Sequence, residues 1–264
     1  MKINATADIL KSKTLQGYIK VVSKTDTAAQ LRDEPLCISD TAYDGKELEP
    51  TKLDAVCMKN SIHGKLLEKY APDKTACGKT DFERTVKLLE WLTCNTFYCG
   101  MKTKKVTDNS IDILDFSFGK PFRYAINCRE KAIVFADCLV AAGIKAYPVC
   151  LTSKKHVGCH FVCHVYLSEL QKWCAFDSSF GCYFTDKNGN LLDVFEMRDL
   201  FINGKKPVVC GYNFNGTTEC FDVYMNGFLK YCSSNVSTWA DNSEDRRSSK
   251  NFSGKKLFKS KIPE

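Results

Sequence analysis

The 264-residue sequence predicts an α+β fold in which a helix packs on an antiparallel β-sheet. Asn127 and Glu130 have the spacing of a capping box, and apolar residues then recur at helical intervals, so a helix is predicted to begin at Cys128. Downstream, residues 159–167 and 173–180 are apolar, β-like runs separated by a short polar stretch, which is typical of a β-hairpin. A helix beside such a hairpin gives the predicted class.

Two further elements flank this helix. Residues 80–98 predict an amphipathic helix that opens with a Thr80-x-x-Glu83 capping box. Residues 145–151 form a short apolar run with β-like composition. Its Pro148 favours an edge position, because proline cannot donate a hydrogen bond to a neighbouring strand.

The chain is long enough to bury a sizeable core, and it is expected to form one core with extensions. Its tail is rich in polar and basic residues, for which disorder is the expectation. The predicted divisions are an N-terminal extension of mixed helix and loop (1–80), a core (81–204), C-terminal elements packing on that core (205–240) and the tail (241–264).

Cys128 is the residue on which a functional interpretation depends. A thiol at the first position of a helix lies at the positive end of the helix dipole, beside free backbone N–H groups. Both favour the thiolate, which is the nucleophilic form of cysteine. The alternative is that Cys128 is a small buried hydrophobic residue, as free cysteines commonly are. On the first hypothesis a general base should lie nearby.

The predicted hairpin supplies such a base. It brings a residue early in its first strand beside one late in its second, which makes His160 and Asp177 neighbours. A sheet packed on the Cys128 helix then places both next to the thiol. The acid orients the imidazole and the imidazole activates the thiol, so Cys128, His160 and Asp177 form a candidate catalytic triad.

The ordered segments NCREKAIVFADCLVAAGIKAYPV, CHFVCHVYL and KWCAFDSSF resemble the transglutaminase-like (papain-like) superfamily, over roughly residues 81–204. The resemblance implies that the nucleophile helix packs on an antiparallel sheet. It also implies that Cys128 is the nucleophile, His160 the general base and acid, and Asp177 the residue that orients it. This chain departs from the family at Val162 and His164, where an aromatic residue and a glutamate are common, and at Ser178, where proline is usual.

His164 is the alternative to His160. On one strand both side chains point to the same face but lie roughly 13 Å apart, at about 3.3 Å per residue, so only one can serve Cys128. The register of the family favours His160 and leaves His164 as a structural, hydrogen-bonded histidine. On a helix the same two histidines could share a zinc ion, but the β-branched and aromatic content of this stretch favours a strand. No metal or other cofactor is therefore expected.

Composition narrows the class of protein. There is no apolar run of transmembrane length and no signal-peptide pattern, so a cytoplasmic protein with no membrane partner is expected. The cysteines number 15, an odd count without a compact framework, which favours reduced thiols over disulfides. The net charge is +7, but no stacking aromatics accompany the basic tail, and nucleic acid is not an expected partner. The sequence leaves the oligomeric state open.

A thiolate–imidazole pair attacks a carbonyl and forms an acyl-enzyme. The predicted function is thus a cysteine-dependent acyl-transfer enzyme acting on amide bonds of a peptide or protein substrate. Hydrolysis is favoured, because water is always present whereas transfer needs an organised amine site. The resemblance leaves three alternatives: a protein-crosslinking transglutaminase, a peptide deglycosylase, and a non-catalytic binding module that retains the fold.

Overall fold

The computed structural model of the chain describes residues 57, 59–98, 109–119, 124–152, 159–203, 205–211 and 235–237. The predicted tail at 241–264 and most of the predicted extension at 1–80 lie outside the described residues. The described part is α+β, with helices packed on one antiparallel sheet. Among the described residues, no helix is both long and apolar enough to cross a membrane.

Helices account for most of the first half of the described chain, and five of the six precede the first strand. Those five are α1 (Ser61–Tyr70), α2 (Pro72–Thr75), α3 (Asp81–Asn95), α4 (Ser110–Ser117) and α5 (Cys128–Ala141), while α6 (Val194–Ile202) lies between two strands. The predicted helix within 80–98 is α3, capped by Thr80, whose Oγ1 accepts from the Glu83 N–H at 3.1 Å. The Glu83 carboxylate accepts from the Lys79 N–H at 2.7 Å, so the cap extends one residue further back than the predicted box.

The strands form one sheet in the order β5-β4-β3-β2-β1-β6, in which every described pairing is antiparallel. They are β1 (Ala146–Thr152), β2 (Cys159–Leu167), β3 (Lys172–Asp177), β4 (Cys182–Thr185), β5 (Val208–Gly211) and β6 (Asn235–Ser237). The predicted hairpin is confirmed as β2 and β3, which pair from Cys163 opposite Phe176 to Leu167 opposite Lys172.

The edge position predicted for residues 145–151 is wrong, because β1 lies between β2 and β6. The proline is nevertheless accommodated. Strand β6 pairs only with positions 150–152 of β1, so Pro148 lies outside that stretch of ladder. A proline in an inner strand costs little where the second neighbouring strand does not reach it.

Helix α5 is buried on all sides, although several of its residues are charged. It packs against β1 and β2 on one side and against α1, α2, α3 and α4 elsewhere. Every residue from Glu130 to Ala141 is buried. The polar side chains are therefore paired inside the protein: the Lys131 ammonium donates to the Thr96 carbonyl at 3.3 Å, and the Asp137 carboxylate accepts from the Ser110 hydroxyl.

The hydrophobic core also includes residues that precede position 81. Ile62 and Leu66 of α1 and Ala76, just after α2, belong to the same buried cluster as α5 and the sheet. Leu66 has no exposed surface. Part of the predicted N-terminal extension thus packs in the same core as α5 and the sheet.

Candidate active site

The candidate nucleophile lies where the capping box places it. The Asn127 side-chain carbonyl accepts from the Glu130 N–H at 3.0 Å, and the Glu130 carboxylate accepts from the Asn127 N–H at 2.9 Å. Helix α5 therefore begins at Cys128. Cys128 is half-buried and packs at the junction of the two hydrophobic clusters that cover the opposite faces of the sheet.

His160 and Asp177 meet behind this thiol. His160 is the second residue of β2 and Asp177 the last of β3, and their side chains share one face of the sheet. The His160 Nε2 and Asp177 Oδ2 atoms are 2.6 Å apart, and both side chains are almost fully buried. The Cys128 side chain interacts with the same imidazole ring and raises its pKa. The structure therefore brings all three predicted site residues together, and only the thiol is partly open to solvent.

Backbone groups fix the carboxylate of Asp177. Its Oδ1 accepts from the Ser179 N–H at 2.7 Å, and its backbone carbonyl accepts from the Gly181 N–H at 2.8 Å. Gly181 has φ of +67°, and a Cβ atom there would lie 2.8 Å from the Thr93 hydroxyl oxygen. The turn after β3 thus requires glycine, both for its backbone conformation and for its close approach to α3.

The charges of the site strongly favour a protonated His160. Burial of the ring lowers its pKa, but the negative charge of Asp177, the hydrogen bond to it and the interaction with Cys128 outweigh burial and raise the pKa to about 10. An imidazolium at neutral pH is compensated by the carboxylate on one side. On its other side the ring interacts with the half-buried Cys128 side chain.

Lys131 is a second buried cation, one helical turn beyond Cys128. Burial lowers the pKa of its ammonium to about 7, although the negative charges of Asp177 and Cys94 oppose that shift. Lys131 was not among the site residues predicted from the sequence. The available signal was its position three residues after Cys128, which places it on the same side of the helix.

His164 does not take part in this arrangement. The Tyr147 Oη and His164 Nδ1 atoms are 3.0 Å apart, and the Val194 N–H donates to Nε2 at 3.3 Å. Nε2 is thus an acceptor, and the ring is the neutral tautomer with its proton on Nδ1. Burial lowers the pKa of His164 to about 3, which keeps the ring neutral at physiological pH.

The strand predicted for CHFVCHVYL is confirmed as β2, so the helical arrangement that would let His160 and His164 share a zinc ion does not form. In the part of the chain that the structure describes, no group of three or more His, Cys, Asp or Glu side chains is placed to hold a metal ion.

Aromatic rings pack against His160 at the candidate site. The Phe180 and His160 ring centroids are 6.1 Å apart, and Tyr98 packs edge-on against Phe180 at 5.0 Å.

Comparison with known proteins adds little to this geometry. No family model matches the chain, and no curated protein is similar to it in sequence. Among solved structures it is similar to a protein of Cytophaga hutchinsonii, provisionally described as a cysteine protease, with a TM-score of 0.37 and 17% identity. The alignment covers 70% of this chain and 57% of that one, so the chain spans little more than half the length of this neighbour.

Proposed function

We propose that this protein is a cysteine-dependent hydrolase of the transglutaminase-like (papain-like) class that cleaves amide bonds in a peptide or protein. One observation carries the proposal: a single imidazole, His160, is hydrogen-bonded to a buried carboxylate and interacts electrostatically with a half-buried thiol. A nucleophile, a base within reach and a third group that orients the base are the parts that covalent catalysis requires. Cys128, His160 and Asp177 take these three roles.

In the first half-reaction the Cys128 thiolate attacks the substrate carbonyl carbon. The carbonyl oxygen gains the negative charge, and the backbone N–H of Cys128, at the first position of α5, is the natural donor to it. His160, already protonated, then transfers its proton to the leaving amine as the C–N bond breaks. The product is a thioester between Cys128 and the acyl group.

In the second half-reaction the neutral His160 accepts a proton from water, which attacks the thioester and releases the acid and the Cys128 thiol. Asp177 holds the ring by its Nε2 throughout and stabilises the imidazolium that forms again. The sequence departures at Val162, His164 and Ser178 do not remove a member of the triad. Because of these departures, the family resemblance does not indicate which substrate side chains this site would accept.

Reaction with iodoacetamide near neutral pH tests whether Cys128 is activated. We expect Cys128 to be alkylated faster than Cys77, which is an exposed thiol of the same molecule and thus an internal standard. The rates are measured by peptide mapping in a Cys159→Ser background, because Cys159 is a second exposed thiol. Replacing the base by His160→Asn should slow alkylation at Cys128 alone. Equal rates at Cys128 and Cys77 would contradict the proposal and favour a binding module.

The acyl acceptor is tested separately with unfolded casein as a general protein substrate. A hydrolase releases peptides, whereas a transglutaminase attaches a biotinylated alkylamine to the casein. We expect peptide release, abolished in Cys128→Ala and in His160→Asn, and no more strongly reduced in the double variant, because the members of a triad act as a unit. Amine incorporation without peptide release would assign the transglutaminase alternative.

A further inference from the structure

Two thiols outside the proposed triad share one face of the sheet. The register of β1 and β2 places Cys150 opposite Phe161 and Thr152 opposite Cys159. Because side chains alternate along a strand, Cys150 and Cys159 point to the same side and are diagonal neighbours. The two side chains interact, and Cys150 lowers the pKa of Cys159. The sheet thus holds a pair of adjacent, reduced thiols next to His160.

The pair differs in access and in charge from the buried cysteines of the described strands. Cys159 is exposed and Cys150 half-buried. The interaction with Cys150, together with the positive charges of His160 and Arg129, outweighs partial burial and lowers the pKa of Cys159 to about 7. An ordinary thiol has a pKa of about 8.5, so a much larger fraction of Cys159 is thiolate at neutral pH.

We propose that Cys150 and Cys159 form an oxidisable dithiol that hydrogen peroxide converts into a disulfide between β1 and β2. The Cys159 thiolate attacks one peroxide oxygen, the O–O bond breaks, and a sulfenic acid and hydroxide form. The Cys150 sulfur then attacks the Cys159 sulfur, the S–S bond forms and the S–O bond breaks, releasing water. In total, two thiols give two electrons to one peroxide, and two water molecules result.

The position of Cys159 at the start of β2 makes the disulfide geometrically feasible. In a regular sheet the Cα atoms of diagonal neighbours lie about 7–8 Å apart, whereas a disulfide spans about 4.4–6.8 Å. The two residues must therefore approach by roughly 1 Å. Cys159 is the first residue of β2, so the ladder holds its backbone from one direction only, and a small displacement there breaks few hydrogen bonds.

The chain contains a matched control pair. Cys163 lies opposite Phe176, so Cys163 and Cys174 have the same diagonal relation on β2 and β3. Both side chains are fully buried within their strands, and burial raises the pKa of Cys174 to about 12. If adjacency alone decided oxidation, this pair would react as well. If exposure and thiolate content decide it, only Cys150 and Cys159 will react.

The test uses the full-length, fully reduced Cys128→Ala protein, so that its outcome does not depend on the proposed catalytic function. After treatment with hydrogen peroxide and blocking of free thiols, tryptic digestion cuts at Lys154 and Lys155, between the two cysteines. We expect a disulfide-linked pair of peptides, residues 146–154 and 156–172, to appear about tenfold faster than any other cross-link. Peptide 156–172 contains Cys163 as well as Cys159. The linked pair should therefore also form in the Cys163→Ala variant, which shows that Cys159 is the linked residue.

Single variants separate the two steps. In Cys150→Ser, oxidation should stop at a Cys159 sulfenic acid that dimedone traps, whereas Cys159→Ser should lose the rapid reaction altogether. Linkage of Cys163 to Cys174 at the same rate as Cys150 to Cys159 would overturn the proposal. The proposal would also be overturned if the Cys159→Ser variant lost its free thiols to hydrogen peroxide as fast as the Cys128→Ala protein.

Discussion

At the scale of single residues, the charge of His160 governs both reactivity and stability at the candidate site. Its pKa is raised to about 10, whereas an unperturbed histidine titrates at about 6.5. Between these values the folded protein holds a proton that the unfolded chain releases. The contribution of this interaction to stability is therefore complete below about pH 6.5 and is lost as the pH rises through about 10.

Asp177→Asn tests that dependence. The amide cannot stabilise the imidazolium, so the variant should be less stable than the wild type, with the largest deficit near pH 6–7 and a smaller one as the pH approaches about 10. Urea denaturation at several pH values measures the difference. Asp73→Asn, which removes an exposed carboxylate, serves as control and should show a small deficit without this slope. A deficit at Asp177 that grows with pH would contradict the assigned charge of His160.

His164→Ala should separate structure from catalysis. It removes the contacts with Tyr147 and with the Val194 N–H inside the protein, and leaving such groups unsatisfied costs about 1–3 kcal/mol of stability each. The alkylation rate of Cys128 should change by less than about tenfold, or 1.4 kcal/mol in the barrier. Tyr147→Phe removes one of the same contacts and is the matched control. A loss of Cys128 reactivity as large as in His160→Asn would contradict the assignment.

At the scale of elements, helix α5 is buried and carries the ionisable side chain of Lys131 in its interior. Lys131 ionises in the unfolded chain at about pH 10.4 and in the folded protein at about pH 7. Between these values the unfolded state binds more protons, so this group's contribution to stability improves as the pH rises through that window. At and below neutral pH, the buried ammonium opposes folding.

Lys131→Met should therefore stabilise the protein. We expect a gain on the order of 1 kcal/mol or more at pH 7. The gain should shrink as the pH rises towards about 10.4, because Lys131 then loses its proton in the unfolded wild-type chain as well. Urea denaturation across this range measures the gain. Lys131→Arg, which cannot lose its charge, should destabilise instead. A destabilised Lys131→Met at neutral pH would show that attraction to Asp177 outweighs the cost of burial.

Local signals in the sequence predicted much of this region. The capping box around Cys128 and the β2–β3 hairpin depend on neighbouring residues alone, and they are sufficient to bring His160 and Asp177 together. The burial of α5 was not predictable in the same way. Its charged residues resemble a solvated face, and only the packing of α1 to α4 on that face reveals them as internal partners. For the same reason, Pro148 indicated an edge strand although its strand is interior.

At the scale of the whole molecule, α1 belongs to the same packed unit as the candidate site. Leu66→Ala should cost about 2–5 kcal/mol in the free energy of unfolding, since it removes a fully buried side chain from the shared core. Lys65→Ala, on the exposed side of the same helix, should change stability by no more than about 0.5 kcal/mol. Thermal or urea denaturation compares the two. A small effect of Leu66→Ala would make α1 a peripheral extension.

The sheet order has a consequence for biosynthesis. Strands β1 to β5 follow one another across the sheet, but β6 returns to pair with β1 at the opposite edge from β5. Until residues 235–237 leave the ribosome, the nascent chain presents positions 150–152 of β1 as an open edge, ready to pair with another chain. Polysomes place many such nascent chains close together. Of the described strands, the last to be synthesised is thus the one that covers this edge and removes a site of association between neighbouring chains during translation.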